Sequence, residues 1–283
     1  MNMNSGTRIK VVNTDTLDMA LKLQQTTTTS PPRLTSNPTS HLAPPSISPH
    51  FAHQGDPALV HRVNSVRSRV LVLNMASNEN PDQGWLKGAV AQEESIFYRS
   101  SLAFSLFEAY YPFADRGAVY SPNVIVIRDA MDAGHRLILP FGAKLTSPTA
   151  PVDPPDIAPS DLPIISVISV APVRRPALKF GKIYANEEDE KCMKDMIRLV
   201  LRLAASSGHT KLVLGALGCG VLKNPPAEVA RCFLDVLREM EFRGGWFEDV
   251  VFAVLDVENG EKAGVGSKGN FGTFFDVLDG KIV

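Results

Sequence analysis

The chain has 283 residues, 44% hydrophobic and 21% charged, with a formal net charge of −1, enough apolar content for a sizeable core. The near-neutral balance offers no basic face for duplex nucleic acid, and no run of about 18 apolar residues predicts a membrane span. Cys192, Cys219 and Cys232 form no C-x-x-C pair and the histidines show no H-E-x-x-H spacing, so neither a disulfide framework nor a metal site is expected.

Met1–Thr7 is polar and lacks the apolar centre of a signal peptide, which places the expected monomer in the cytoplasm or nucleus, away from membranes. Ile9–Val12 reads as a strand. Residues from about 24 to 53 are crowded with Thr, Ser and Pro and read as an insertion whose ordering entropy burial would not offset. A strand is predicted at Val70–Leu73, followed by a polar loop carrying Asn74, Asn78, Asn80, Pro81, Asp82, Gln83 and Gly84, then a helix containing Gln92, Glu93 and Glu94. Strands follow at Val124–Ile127 and Leu137–Leu139, then a Pro-rich loop at about 146–163 and a strand at Ile164–Val170.

Met193, Met196, Ile197, Val200, Leu201 and Ala204 recur with helical spacing and predict one buried helix face. Asn186 stands at its N-cap ahead of Glu187, Glu188 and Asp189, and Gly208 at its C′ position. The strand Leu212–Leu214 runs into Gly215, Gly218 and Gly220. Asn224 and Pro225 then predict a cap and N1 proline for a helix with Val229, Phe233, Val236, Leu237 and Met240 inward, stopping near Gly244 and Gly245. Val250–Leu255 is the last strand, and Asn270 and Phe271 follow a Gly-rich linker. Strands alternating with amphipathic helices predict a sheet covered on both faces, with ligands beyond the carboxyl ends of its strands.

Three segments carry candidate chemistry. Asn side chains after the second strand suit sugar hydroxyls, whereas Glu93 and Glu94 can be read either as functional carboxylates or as charges complementing a helix dipole. Neighbouring helix residues point about 100° apart, so at most one of the two faces a given ligand atom. The Gly215–Gly220 turn lets backbone N–H groups converge on an anion, though a plain strand-to-helix turn reads similarly. Cys219 lacks an identifiable histidine partner and is read as a packed thiol. Phe271 is expected to be exposed and able to stack on a base, with Phe274 and Phe275 equally well placed in a core.

Together, Ile9–Leu17, the Asn80-Pro81 and Gln92-Glu93-Glu94 blocks, Tyr120–Asn123, Gly215–Gly220 with Asn224–Pro226, and Asn270-Phe271 resemble the microbial-type poly(ADP-ribose) glycohydrolases, a branch of the macrodomain fold. The resemblance implies a single domain over residues 1–283, an α/β three-layer α/β/α sandwich around a mixed central sheet, with ADP-ribose in a cleft and no cofactor. Glu94 then matches the catalytic second glutamate. Glu93, counted with it in the catalytic pair, and Gln92 match the neighbours that hold the distal ribose. Gly215, Gly218, Cys219, Gly220, Val221 and Leu222 match the diphosphate loop, Phe271 the aromatic near the adenosine, and Asn74, Asn80, Gly84 and Asn270 complete the implied ligand contacts.

The implied partners are ADP-ribose, poly(ADP-ribose) or an ADP-ribosylated protein. The implied reaction is hydrolysis of a ribose glycosidic bond, with a non-catalytic ADP-ribose reader as the alternative. Three positions depart from the family pattern. Asp82 and Gln83 stand where glycines are usual, and Leu222 where an aromatic residue is frequent. An aspartate about 5 Å from a phosphate would cost on the order of 3 kcal/mol unless it turns aside or accepts sugar hydroxyls. These departures favour the reader or a related substrate such as a mono-ADP-ribosyl adduct, while the intact Gln92-Glu93-Glu94 block favours an enzyme.

Overall fold

The computed structural model describes residues 6–29, 69–79, 84–114, 116–138, 162–256 and 269–283. In chain order its regular elements are β1 (Ile9–Val12), α1 (Thr16–Thr29), β2 (Leu71–Met75), α2 (Gln92–Arg99), β3 (Ala118–Ile125), β4 (Ile164–Val170), β5 (Leu178–Lys179), β6 (Ile183–Tyr184), α3 (Glu187–Ser206), β7 (Lys211–Leu214), α4 (Pro226–Leu237), β8 (Asp249–Ala253) and α5 (Asn270–Leu278). Six strands form one sheet in the order β1-β8-β7-β2-β4-β3. The first five in that order run parallel, and β3 closes one edge antiparallel to β4. β5 and β6 pair separately as a small hairpin.

The period-2 alternation of strand side chains builds two cores. Leu71, Leu73, Leu212, Leu214, Val250 and Phe252 join the residues of α3, α4 and α5 in one. Val70, Val72, Val213, Val251 and Ala253 meet Leu17 and Ala20 of α1 and Ile96 and Phe97 of α2 in the other. Each fully buried Val or Leu contributes about 1.5–3 kcal/mol. A sheet apolar on both faces needs a helix layer on each, and the result is an α/β/α sandwich. Among the described residues no helix is long and apolar enough to cross a membrane.

β1 and β4 lie where the sequence places them, and all six apolar positions expected on α3 are buried. Gly208 follows that helix with φ +80°, as a C′ residue should. β2, β7 and β8 are offset by one or two residues at their ends, and four elements differ more. The helix expected from Asn224-Pro225 begins one residue later, with Pro225 at the N-cap, and ends at Leu237 well before Gly244; Met240 is exposed. β3 starts six residues before the expected Val124, and it runs through Pro122, which is tolerated on an edge strand beside a register shift between Ser121 and Val124. Leu137 makes only an isolated bridge with Arg128, and Leu139 lies outside the described residues. α1 continues through Thr29, so the first residues of the stretch read as an insertion are helical; the remainder of that stretch, and the Pro-rich loop up to residue 161, lie outside the described residues.

Candidate active site

β2, β7 and β8 are neighbours and parallel, so their carboxyl ends open on one edge of the sheet. At the end of β2 the side chain of Asn74 is buried, its Nδ2 donating to Ser169 Oγ (3.0 Å) on β4 and to Glu93 Oε1 (3.2 Å). The Ser77 N–H donates to the other oxygen, Glu93 Oε2 (2.9 Å). Gln92 behaves as a strand extension. Its Oε1 accepts the Met75 N–H (3.0 Å), and its Nε2 donates to Leu73 O (2.8 Å) and Thr16 Oγ1 (3.4 Å). The first two residues of α2 are thereby fastened to the end of β2.

The other end of α2 is held by charge. Arg99, 1% exposed, pairs with Asp15 and Asp18 at the start of α1. Asp15 also accepts the Leu17 N–H (2.8 Å) and the Ser95 hydroxyl (3.0 Å). A buried guanidinium is tolerated only with such partners, and removing one of them from a buried pair typically costs about 3–5 kcal/mol. With both ends of the helix fixed, the directions of Glu93 and Glu94 are fixed as well.

Those directions differ as helical geometry requires. Glu93 turns inward, 7% exposed, and burial pushes its carboxyl up from near 4.5 to about 7, against the pull of the Ser77 and Asn74 donors and helped by the neighbouring Glu94 charge. Glu94 is half-buried and lies against Gly84. A Cβ at position 84 would stand 1.8 Å from Glu94 Oε1 and 2.8 Å from its Cδ. Glu94 Oε2 is buried and has no hydrogen-bond partner among the described residues. Of two adjacent carboxylates, one is occupied by protein donors and the other has an oxygen without a partner among the described residues.

The glycine turn lies alongside. A Cβ on Gly215 would meet Met75 Cε (3.1 Å) and Ala253 O (3.3 Å), so the residue is wedged between the ends of β2 and β8. Gly218 has φ +71°, and a Cβ there would stand 2.5 Å from Asn224 Nδ2 and 2.9 Å from Pro172 Cγ. Asn224 is the turn's clamp rather than a helix cap. Its Nδ2 donates to Val173 O (2.7 Å) and Gly218 O (3.2 Å), and its Oδ1 accepts the Tyr184 hydroxyl (2.9 Å). The N–H groups of Cys219 and Lys223 are used within the turn, whereas those of Gly218, Gly220, Val221 and Leu222 donate to no protein acceptor among the described residues. Gly220 and Val221 are exposed. Such converging donors suit an anion. Cys219 is buried, its Sγ 3.6 Å from Leu217 O, and burial pushes its thiol up, which fits the packed thiol expected there.

The structure thus brings Asn74, Gln92 and Glu93 into one hydrogen-bonded group, which Met75 joins to the Gly215–Leu222 turn, and sets Gly84 against Glu94. Asn80, with Asp82 and Gln83, lies outside the described residues. Phe271 corrects an expectation. Its ring is 6% exposed and packs against Phe275 (5.7 Å between centroids) in the same core as Leu217 and Cys219, because the first turn of α5 faces the sheet. Asn270, half-buried, opens that helix. Sequence reasoning missed Ser77, Ser169, Arg99 and Tyr184 as supports. Serines on loops and strands and a lone arginine carry no spacing signal, and their partners are distant in sequence.

The family model of the microbial-type PARG catalytic domain matches residues 1–129. No curated protein matches the chain. Among solved structures, the chain is similar to the poly(ADP-ribose) glycohydrolase of Thermomonospora curvata bound to the inhibitor ADP-HPD, with 29% identity, 96% of this chain and 79% of that one covered, and a TM-score of 0.62. It is also similar to the poly(ADP-ribose) glycohydrolase of Deinococcus radiodurans in complex with ADP-ribose, with 31% identity, 78% of this chain and 80% of that one covered, and a TM-score of 0.54. This chain belongs to the microbial-type poly(ADP-ribose) glycohydrolase family. The mixed six-stranded sheet between two helix layers is the macrodomain-like architecture of that family, and the family makes the chain a glycohydrolase, a hydrolase.

Within this glycohydrolase, Glu93 has a measurable energetic signature. A carboxyl whose folded pKa is raised contributes full stability below its ordinary value, and that stability is lost as pH rises through about 7. Glu93→Gln removes the charge at the expense of one of two accepted hydrogen bonds. The burial penalty, at most about 3 kcal/mol, exceeds the loss of one hydrogen bond of about 1 kcal/mol. Denaturant unfolding should therefore find Glu93→Gln more stable than wild type by about 1–2 kcal/mol at pH 8, with the gain gone at pH 5. An equal difference at both pH values would mean that burial of the charge is not its source.

Proposed function

We propose that this chain binds ADP-ribose across the Gly215–Leu222 turn and hydrolyses the bond between a ribose C1 and its leaving oxygen, with Glu94 as proton donor. The observation that carries this reading is the contrast between the two glutamates. Both oxygens of Glu93 are taken by Ser77 and Asn74, whereas Glu94, whose Oε1 lies against Gly84, leaves Oε2 buried and without a partner among the described residues. A buried polar atom without a partner is costly in the free protein, and a ligand that supplies the partner recovers that cost. An ADP-ribose reader has no use for an open carboxylate held so closely, so that alternative is not favoured. The relatives crystallised with ADP-ribose and with ADP-HPD support the ligand class.

In the proposed mechanism the free N–H groups of Gly218, Gly220, Val221 and Leu222 receive the diphosphate, and Asn74 holds Glu93 where it meets the sugar. Protonated Glu94 gives its proton to the leaving oxygen as the C1–O bond breaks. Positive charge gathers on the ribose ring, stabilised by the substrate's own diphosphate. Water adds to C1 and returns a proton to the Glu94 carboxylate, so the enzyme is regenerated. Oligomeric state aside, the partners proposed are poly(ADP-ribose) or ADP-ribosylated protein.

Because backbone donors in the turn need both phosphates, calorimetry is expected to give micromolar or tighter binding of ADP-ribose and at least tenfold weaker binding of AMP. Equal affinities, or no heat with ADP-ribose, would remove the basis for the site.

A further inference from the structure

Beyond the Tyr184 hydroxyl that holds Asn224, the β5–β6 hairpin has no part in the central site. It grows out of the support of the glycine turn. The Arg175 N–H donates to Leu222 O (2.8 Å), Val173 O receives Asn224, and Tyr184 at the hairpin's base donates to the same Asn224 (2.9 Å). Its strands pair Leu178 with Tyr184 and Lys179 with Ile183. At the tip, Lys182 N–H donates to Lys179 O (3.1 Å) around Phe180 (φ +53°) and Gly181 (φ +67°), the backbone pattern of a type I′ turn. That turn favours Asn, Asp or Gly at its first central position, and here the position holds a phenylalanine with 94% of its surface exposed. Lys179 and Lys182, which flank the tip, and Arg175 at the hairpin's base are exposed and have no ion-pair partner among the described residues, whereas Arg174 pairs with Glu79 (2.5 Å). An aromatic residue in a backbone conformation unfavourable for it, 94% exposed and flanked by two lysines, contributes nothing to the core.

We infer that this hairpin is a second subsite of the glycohydrolase, which stacks the base of a neighbouring unit of an ADP-ribose polymer on Phe180 and meets its phosphates with Lys179, Lys182 and Arg175. The inference rests on the ADP-ribose reading of the glycine turn, and adds that the substrate extends beyond one unit. Strand rise places Phe180 about 10 Å beyond Ala177, so the ring lies outside the turn yet rigidly tied to it. A ring face accepts any base, and cations beside it suit a phosphate chain.

The test compares wild type with Phe180→Asn and with the pair Lys179→Glu and Lys182→Glu on poly(ADP-ribose), on a mono-ADP-ribosylated protein and on free ADP-ribose. Phe180→Asn restores a residue the turn prefers, so thermal stability should not fall. The KM for the polymer is expected to rise about tenfold, in keeping with loss of one stacked base, with ADP-ribose affinity and turnover of the mono-substrate unchanged. The charge-reversed pair should raise it further, most at low salt. Unchanged polymer KM in an active enzyme would overturn the subsite, as would an equal loss on free ADP-ribose. Loss of binding to phosphatidylserine vesicles with polymer kinetics intact would also overturn it, in favour of a lipid surface. Wild type that neither binds ADP-ribose nor releases it would instead overturn the reading of the central site, and the subsite with it.

Discussion

Glu94→Gln is expected to slow release of ADP-ribose by about 10²-fold or more, the usual effect of losing a general acid, while ADP-ribose affinity stays within a few-fold of wild type. The substitution keeps the side chain's size and its capacity to hydrogen-bond, and removes only the transferable proton. Its carboxylate makes no hydrogen bond through Oε2 among the described residues, so the fold loses little. Steady-state kinetics beside calorimetry separates the two effects, because a loss made only in the transition state lowers kcat and kcat/KM together. Wild-type turnover by Glu94→Gln would rule out the mechanism. Equal losses of rate and binding would instead make Glu94 a ligand-holding residue.

The second large effect is expected from a single methyl group. Gly84 has φ −84° and ψ −59°, a right-handed helical conformation that alanine adopts without strain, so its glycine is not required by the backbone. It is required by Glu94, whose Oε1 lies 1.8 Å from where a Cβ would stand. Gly84→Ala must push the carboxylate aside. The displaced group is the far end of a flexible side chain, so stability should change by less than about 1 kcal/mol. Misplacing a reacting group by about 1 Å can cost 10²-fold in rate, and a kcat loss of that order is expected. Gly84→Ala in a Glu94→Gln background should then add little, since both act through one group. Full activity in Gly84→Ala would show that the reacting carboxylate is elsewhere.

These two positions mark the limits of what is legible in the linear chain. The layers of the fold can be read from β-branched runs and from the helical spacing of Met193 to Ala204, because burial on a regular element imposes a period that neighbours in sequence share. The Gln92-Glu93-Glu94 block and the Gly215–Gly220 turn are legible for the same reason, each being one local segment. Element ends are less legible. Pro122 belongs inside β3 because that strand lies on an edge, and Asn224 clamps a turn because Tyr184 and Val173 come within its reach. Neither fact exists before the sheet is assembled.

Locally, then, the chain determines its strands, its helix faces and the two glutamates with their different directions, since 100° per residue separates them on any helix. Tertiary structure alone decides what each glutamate becomes. Asn74 and Ser77 converge on Glu93, burying it and raising its pKa to about 7. Gly84 makes room for Glu94, and Phe271 turns into the core instead of outward. The physical reason is that hydrogen-bond partners, desolvation and steric clearance are set by atoms brought together from distant parts of the chain, to which no residue spacing corresponds.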